Sequence, residues 1–236
     1  MDLREIYSYN SGVGAKLPRI SFEAVVPENG DASELFEKLR ALKKYNPVLI
    51  SLSVGNNNQM QGLLIEFLQM VQDLEFNVLP NISTSNLSKE LVEHYITRIE
   101  NLGIENILVT EGLPSVDFKD TCALVDFIHQ KSTLSIGIRE NIENISALGN
   151  LKNKINAGAS VIFTENFSDN KKFFSYVDLI RKIGVNVPVI PTTEANQVKC
   201  CELLETGFYG LHFNNIDENL DFINEIVKGV SYGKFK

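Results

Sequence analysis

Two hydrophobic rhythms alternate along the whole chain. Short runs rich in apolar and β-branched residues, at 19–26, 47–54, 76–83, 105–110, 133–139, 160–165, 187–192 and 210–214, predict strands. Each is followed by a stretch with helical periodicity, near 32–45, 58–74, 88–102, 117–130, 144–157, 170–183, 196–206 and 218–229. In "SELFEKLRALKKY", for example, Leu35, Leu39 and Leu42 form one apolar stripe opposite a charged face. Gly103, Gly158, Gly184 and Gly207 stand between a predicted helix and the next strand, where glycine most easily takes the left-handed cap conformation. Eight such units in 236 residues leave about 30 residues each, close to the minimum for a strand, a helix and two short connections. The pattern predicts an α/β fold, a single (β/α)8 TIM barrel over residues 1–236, with 1–18 as a flexible leader. A doubly wound open sheet would carry a glycine-rich phosphate turn after its first strand. "VVPENGDAS" has none, and "NSGVGAK" precedes that strand.

One residue breaks the pattern of the first strand, "RISFEAVVPENG". Ile20, Phe22, Ala24, Val25 and Val26 suit a sheet interior, yet Glu23 sets a carboxylate among them, where desolvating the charged form is costly. Burial is expected to raise its pKa and leave it a proton to donate near neutral pH. An internal hydrogen bond or a buried ion pair is the alternative. Barrel chemistry collects at the C-terminal ends of the strands. The residues falling there are polar and acidic: Ser53, Asn81, Thr110 and Glu111 in the first half, then Arg139, Glu140, Glu165, Glu194 and His212. His94 and His129 fall in predicted helices, and the histidines form no metal-ligand cluster. No serine lies in a recognisable nucleophile turn.

Composition narrows the partners. A formal net charge of -8 argues against a general nucleic-acid or anionic-membrane surface and points to small molecules. "MDLREIYSYN" lacks a basic segment followed by an apolar signal core, and no apolar run approaches the roughly 20 residues that span a bilayer, so a cytoplasmic protein is expected. Cys122, Cys200 and Cys201 have no spacing that suggests zinc or a disulfide framework, and read as reduced thiols. The acids Glu23, Glu111, Glu140, Glu165 and Glu194 leave a divalent cation or a cationic substrate as a further reading. "FLQMV" and "KKFFSYV" on the outer helices could pack on the barrel or form a homo-oligomer interface.

Several segments, in order, resemble the methylenetetrahydrofolate reductase family, flavin-dependent one-carbon enzymes built on a (β/α)8 barrel. They are "SFEAVVP", "SLSVGNN", "LPNIST", "IENILVTEGLP", "NLKNKINAGASVIFTENF" and "GLHFNN", spanning nearly the whole chain. "SFE" and the K-x-x-A-G-A-x-x-x-x-T run are the most specific. The resemblance implies reduction of 5,10-methylenetetrahydrofolate to the 5-methyl form with FAD, recharged by NAD(P)H or a redox partner protein. Glu23 matches the family's catalytic glutamate, the acid that protonates the departing nitrogen. Ser53, Asn81, Thr110, Asn150 and Lys154 fall on flavin-contacting positions, with Lys154 able to offset phosphate charge; Glu165 falls on that of a glutamine that bonds the folate, and Glu111 supplies a carboxylate one residue before the position of a pterin-binding aspartate. Two family segments differ here. "VTEGLP" replaces the L-R-G-D signature, and "IGIREN" replaces A-x-Y-P-E, losing an aromatic that packs on the flavin. These differences leave a second reading, a non-catalytic folate- or small-ligand-binding barrel that has lost FAD.

Overall fold

The computed structural model describes residues 2–7, 19–27, 30–54, 61–144, 148–194, 196–206, 208, 210–216 and 223. The strands among them are β1 (Arg19–Val25), β2 (Leu49–Ser53), β3 (Val78–Ser83), β4 (Asn106–Thr110), β5 (Ser135–Glu140), β6 (Ala159–Thr164), β7 (Val189–Ile190), β8 (Thr192–Thr193) and β9 (Gly210–Phe213). All pair in parallel, in the order β7-β6-β5-β4-β3-β2-β1-β9-β8. The ends of that order meet through the chain itself, because β7 and β8 flank the single residue Pro191. They are two halves of the expected seventh strand, β7 pairing with β6 and β8 with β9. Proline has no N–H to give to a ladder. Its carbonyl still accepts from the His212 N–H at 3.0 Å, and the Thr192 N–H turns to the Thr164 hydroxyl at 2.9 Å. The sheet is therefore an eight-position TIM barrel, as the alternating pattern predicts.

Helices α1 (Leu3–Tyr7), α2 (Ser33–Leu42), α3 (Gln61–Asp73), α4 (Lys89–Asn101), α5 (Thr121–Lys131), α6 (Leu148–Asn156), α7 (Asn170–Lys182) and α8 (Gln197–Glu205) are described, with a 3-10 turn at Lys43–Tyr45. Capping sets several boundaries. The Asp120 side chain accepts from the Ala123 N–H, so α5 begins at Thr121, four residues later than the periodicity suggests. Gly103, Gly158 and Gly184 have φ of 71°, 124° and 86°, as expected of stop positions. Gly207, the glycine-rich stretch before the first strand and most of the expected helix at 218–229 lie outside the described residues.

Strand alternation divides the core into two. Phe22, Ile50, Ile82, Val109, Ile138 and Ile162 belong to the layer between sheet and helices. Leu49, Leu79, Leu108, Val161, Phe163 and Ile190 gather on the other side, and Leu3 and Ile6 of α1 join them. The stretch expected as a leader thus contains a short helix that closes the barrel floor. Gly137 makes room for it, because a Cβ there would come 3.1 Å from Phe163 and 3.2 Å from Leu3. The Leu3 N–H donates to Ser135 Oγ at 3.3 Å.

Candidate active site

Two residues further along each strand, the barrel interior turns polar. The period of two that puts Leu79 in the floor puts Asn81 above it, and Leu108 is followed in the same way by Thr110. On β1 the same alternation stacks Ser21 and Glu23 on one side. Glu23 is almost fully buried, and its carboxylate accepts two hydrogen bonds from Arg139 of β5, Nη1 to Oε1 at 3.1 Å and Nη2 to Oε2 at 2.8 Å. This fork-to-fork geometry is the strongest form of the pair. From β1 to β5 is four strand positions in either direction round the barrel, so the two side chains meet from opposite walls.

Behind Glu23 lies a chain of polar groups. The Tyr7 hydroxyl donates to Ser21 Oγ at 2.9 Å, Ser21 Oγ lies 2.9 Å from His212 Nδ1, and His212 Nε2 stands 3.9 Å from Glu23 Oε2. That last distance is beyond hydrogen-bond reach. Burial holds the His212 pKa below its usual value, so the ring is neutral at neutral pH. Arg139 is then the permanent positive charge on Glu23.

The expected pKa of Glu23 is corrected here. Burial does push it up, but His212 and Arg139 push it down further, to about 2. The sequence shows the desolvation and hides the compensating guanidinium. As the site stands, Glu23 is a carboxylate with no proton to give.

The remaining expected residues divide between rim and wall. Thr110 Oγ1 donates to Asn81 Oδ1 at 3.1 Å, with Ser53 half-buried on neighbouring β2, so these three form one arc of uncharged polar groups. Glu111, Glu165 and Asn150 are exposed. Lys154, expected to face a phosphate, is buried, and its Nζ donates to Glu140 Oε1 at 2.6 Å. Glu140 follows Arg139 on β5 and so points to the opposite side, towards α6. Burial raises the Glu140 pKa; Lys154 opposes the shift, while Glu111 and Glu165 add to it. Lys172 reaches Glu143 at 3.0 Å and Lys199 donates to the Phe167 carbonyl, so these two rim cations are also engaged.

A cleft of about 270 Å³ opens at the rim between β1, α2 and the segment after β9, lined by Glu23, Pro27, Asp31, Glu34, Lys38 and Asn214 among others. It gives Glu23 a second neighbour space besides Arg139. Within the barrel, Ser51 Oγ, Arg139 Nε, Thr192 Oγ1 and His212 Nε2 are buried without a hydrogen-bond partner. No group of three or more His, Cys, Asp or Glu among the described residues could hold a metal ion. His94 and His129 are exposed on α4 and α5. Ser21 and Tyr7 were not singled out by the sequence reading, although Ser21 is legible as the residue two before Glu23 on the same strand face.

A parallel barrel with its polar, charge-bearing groups at the C-terminal strand ends defines the class of barrel proteins whose sites are built on that rim. Solved structures of this architecture resemble the chain throughout. A tryptophan synthase structure from M. tuberculosis superposes with a TM-score of 0.66 over 92% of each chain at 8% identity. A 2,3-dimethylmalate lyase gives 0.63 over 98% of this chain and 84% of the other at 11% identity. At such identities the likeness concerns the fold alone. Sequence narrows it: the family model for methylenetetrahydrofolate reductase matches residues 9–193, and the chain belongs to that family. Among curated relatives, methylenetetrahydrofolate reductase (NADH) 1 of Arabidopsis thaliana is 28% identical over 201 residues, 72% of this chain and 34% of the plant protein. Methylenetetrahydrofolate reductase 1 of Schizosaccharomyces pombe is 25% identical over 72% of this chain and 32% of its own length. The 5,10-methylenetetrahydrofolate reductase of Pectobacterium carotovorum is 24% identical, over 73% and 62%. The chain thus spans about a third of the length of the plant and fission-yeast relatives. Among the described residues, no helix is long and apolar enough to cross a membrane.

Proposed function

We propose that the protein is a flavin-dependent reductase of 5,10-methylenetetrahydrofolate, with Glu23 as its acid. Glu23 carries the reading: a buried carboxylate inside the barrel, open to the rim cleft, in a chain whose family model begins before it and runs through β8. The methylene carbon bridges two pterin-derived nitrogens and becomes an acceptor only when one C–N bond opens. Glu23, once protonated, gives its proton to the departing nitrogen, and the iminium carbon left behind takes a hydride to become methyl. When bound, reduced FAD would supply that hydride, and NAD(P)H or a redox partner protein would return the flavin to its reduced form.

The residues fit the flavin unevenly. The uncharged arc of Ser53, Asn81 and Thr110 offers donors and acceptors along one side of the interior and suits the polar edge of a flat heteroaromatic ring. Asn150 is exposed on α6 and free to meet the nucleotide end. Lys154 is held by Glu140 and Arg139 by Glu23, so either of these cations would exchange one anionic partner for another to meet the pyrophosphate. Glu111 and Glu165 at the rim stand beside the folate on this reading. All three cysteines are free thiols, in keeping with a reducing cytoplasmic setting.

The test is the visible absorption of purified protein after incubation with excess FAD and desalting, followed by turnover of methylenetetrahydrofolate. Retained flavin near one equivalent, with turnover abolished in Glu23→Gln while flavin stays bound, supports the reading. A folded protein that retains no flavin overturns it.

A further inference from the structure

We propose that Arg139 is a latch on Glu23: it holds the carboxylate ionised in the unliganded protein, and must turn to an oxyanion of the bound ligand before Glu23 can carry a proton. The inference rests on the proposed reductase reading for its purpose and on geometry for its content. Arg139 reaches across the barrel from β5 to engage both carboxylate oxygens, and no other side chain bonds to them at hydrogen-bond distance among the described contacts. Its Nε is buried and unpartnered, so one donor of the guanidinium is available for an additional acceptor. Glu23 also lines the rim cleft, and a ligand entering there comes within reach of the pair.

The groups facing Glu23 are few. Arg139 comes from β5, His212 from β9, and Ser51 is its register partner on β2. Asp31 and Glu34 line the same cleft. With the guanidinium gone, His212 at 3.9 Å is the group left to hold the buried carboxylate charged, and the balance moves towards the protonated form. Pyrophosphate of the dinucleotide and the glutamyl carboxylates of folate are the two sources of a suitable oxyanion.

The experiment follows the Glu23 carboxyl directly, by 13C NMR titration of protein labelled at glutamate Cδ, with assignment from Glu23→Gln. In unliganded wild type it should titrate far below 4.5, the ordinary glutamate value, and in Arg139→Gln it should rise clearly towards that value. Arg139→Lys, which keeps the charge and loses the fork, should remain below it and serves if the glutamine variant folds poorly. A Glu23 titration in folded Arg139→Gln that stays where wild type has it overturns the latch. FAD and 5-methyltetrahydrofolate are then added separately to wild type, with binding followed in parallel by equilibrium dialysis. A rise with one of them identifies the ligand that opens the latch; binding of both without a rise overturns the opening step. Failure of either to bind overturns the corresponding part of the proposed function and leaves the variant titrations to decide whether Arg139 holds Glu23 ionised.

Discussion

Glu23 and Arg139 lie 116 residues apart in sequence and on opposite walls of the barrel, yet their side chains meet in a two-point ion pair on its axis. Removing one partner of such a pair leaves an uncompensated buried charge, a loss of about 3 to 5 kcal/mol. Arg139→Gln should destabilise the protein near the lower end of that range at pH 7, because Glu23 escapes part of the penalty by taking up a proton. The loss should shrink at pH 4, where the proton is readily available, and Glu23→Gln/Arg139→Gln should recover most of the stability. Urea unfolding at the two pH values checks all three outcomes.

Acid should unfold the protein partly through the same residue. A carboxylate whose pKa falls from 4.5 unfolded to about 2 folded stabilises the native state above pH 4.5, and that contribution disappears as the pH drops through 2. The full effect is about 3 kcal/mol. His212 adds the same sign at higher pH, since its buried neutral ring must charge once the pH falls below the usual histidine value. In Glu23→Gln the stability curve should be flatter between pH 4.5 and 2 than in wild type, measured by denaturant midpoints across that window.

Lys154 and Glu140 form a second buried pair, between α6 and the outer side of β5. Lys154→Met alone should cost about 3 to 5 kcal/mol, and Lys154→Met/Glu140→Leu should come close to wild type, because an apolar pair of similar volume needs no desolvation. If Lys154 instead met a phosphate in the resting protein, the single variant would lose affinity for the nucleotide with little change in thermal stability. A thermal melt beside a binding titration separates the two.

Leu3 is fully buried in the barrel floor. Leu3→Ala should cost about 2 to 5 kcal/mol, the range for deleting a core leucine. Such a loss has no counterpart if residues 1–18 are only a leader. Differential scanning calorimetry of that variant is sufficient.

The barrel itself was legible because eight alternations of period two and period 3.6 fit few other folds, and the glycine stops sharpened the count. The split of strand seven was less so: Pro191 was visible, but only the paired neighbours show that β7 serves β6 and β8 serves β9. The misfit of Glu23 was plain from its neighbours. Its partner was not, because no local pattern links β1 to a residue four strands away, and so the direction of the pKa shift was read with the wrong sign. The partner of Lys154 was hidden for a related reason. A motif match gave it a ligand, whereas strand alternation past Arg139 sends Glu140 outward to meet it. His212 looked weak as a lone histidine and gains its place only through register with Ser21.

The floor helix also constrains the order of assembly. Leu3–Tyr7 leaves the ribosome before the rest of the barrel, but part of its seat is made by Ser135, Val161, Phe163 and Ile190, the nearest of them 132 residues later. At 5–20 residues per second the segment waits roughly ten to thirty seconds before that seat exists. Its docking is a long-range closure that cannot precede β5 and β6, and it belongs to the slow class of folding events governed by non-local contacts. Until then the floor of the barrel stands open, with Leu3 and Ile6 exposed to whatever chaperone or neighbouring chain meets them first.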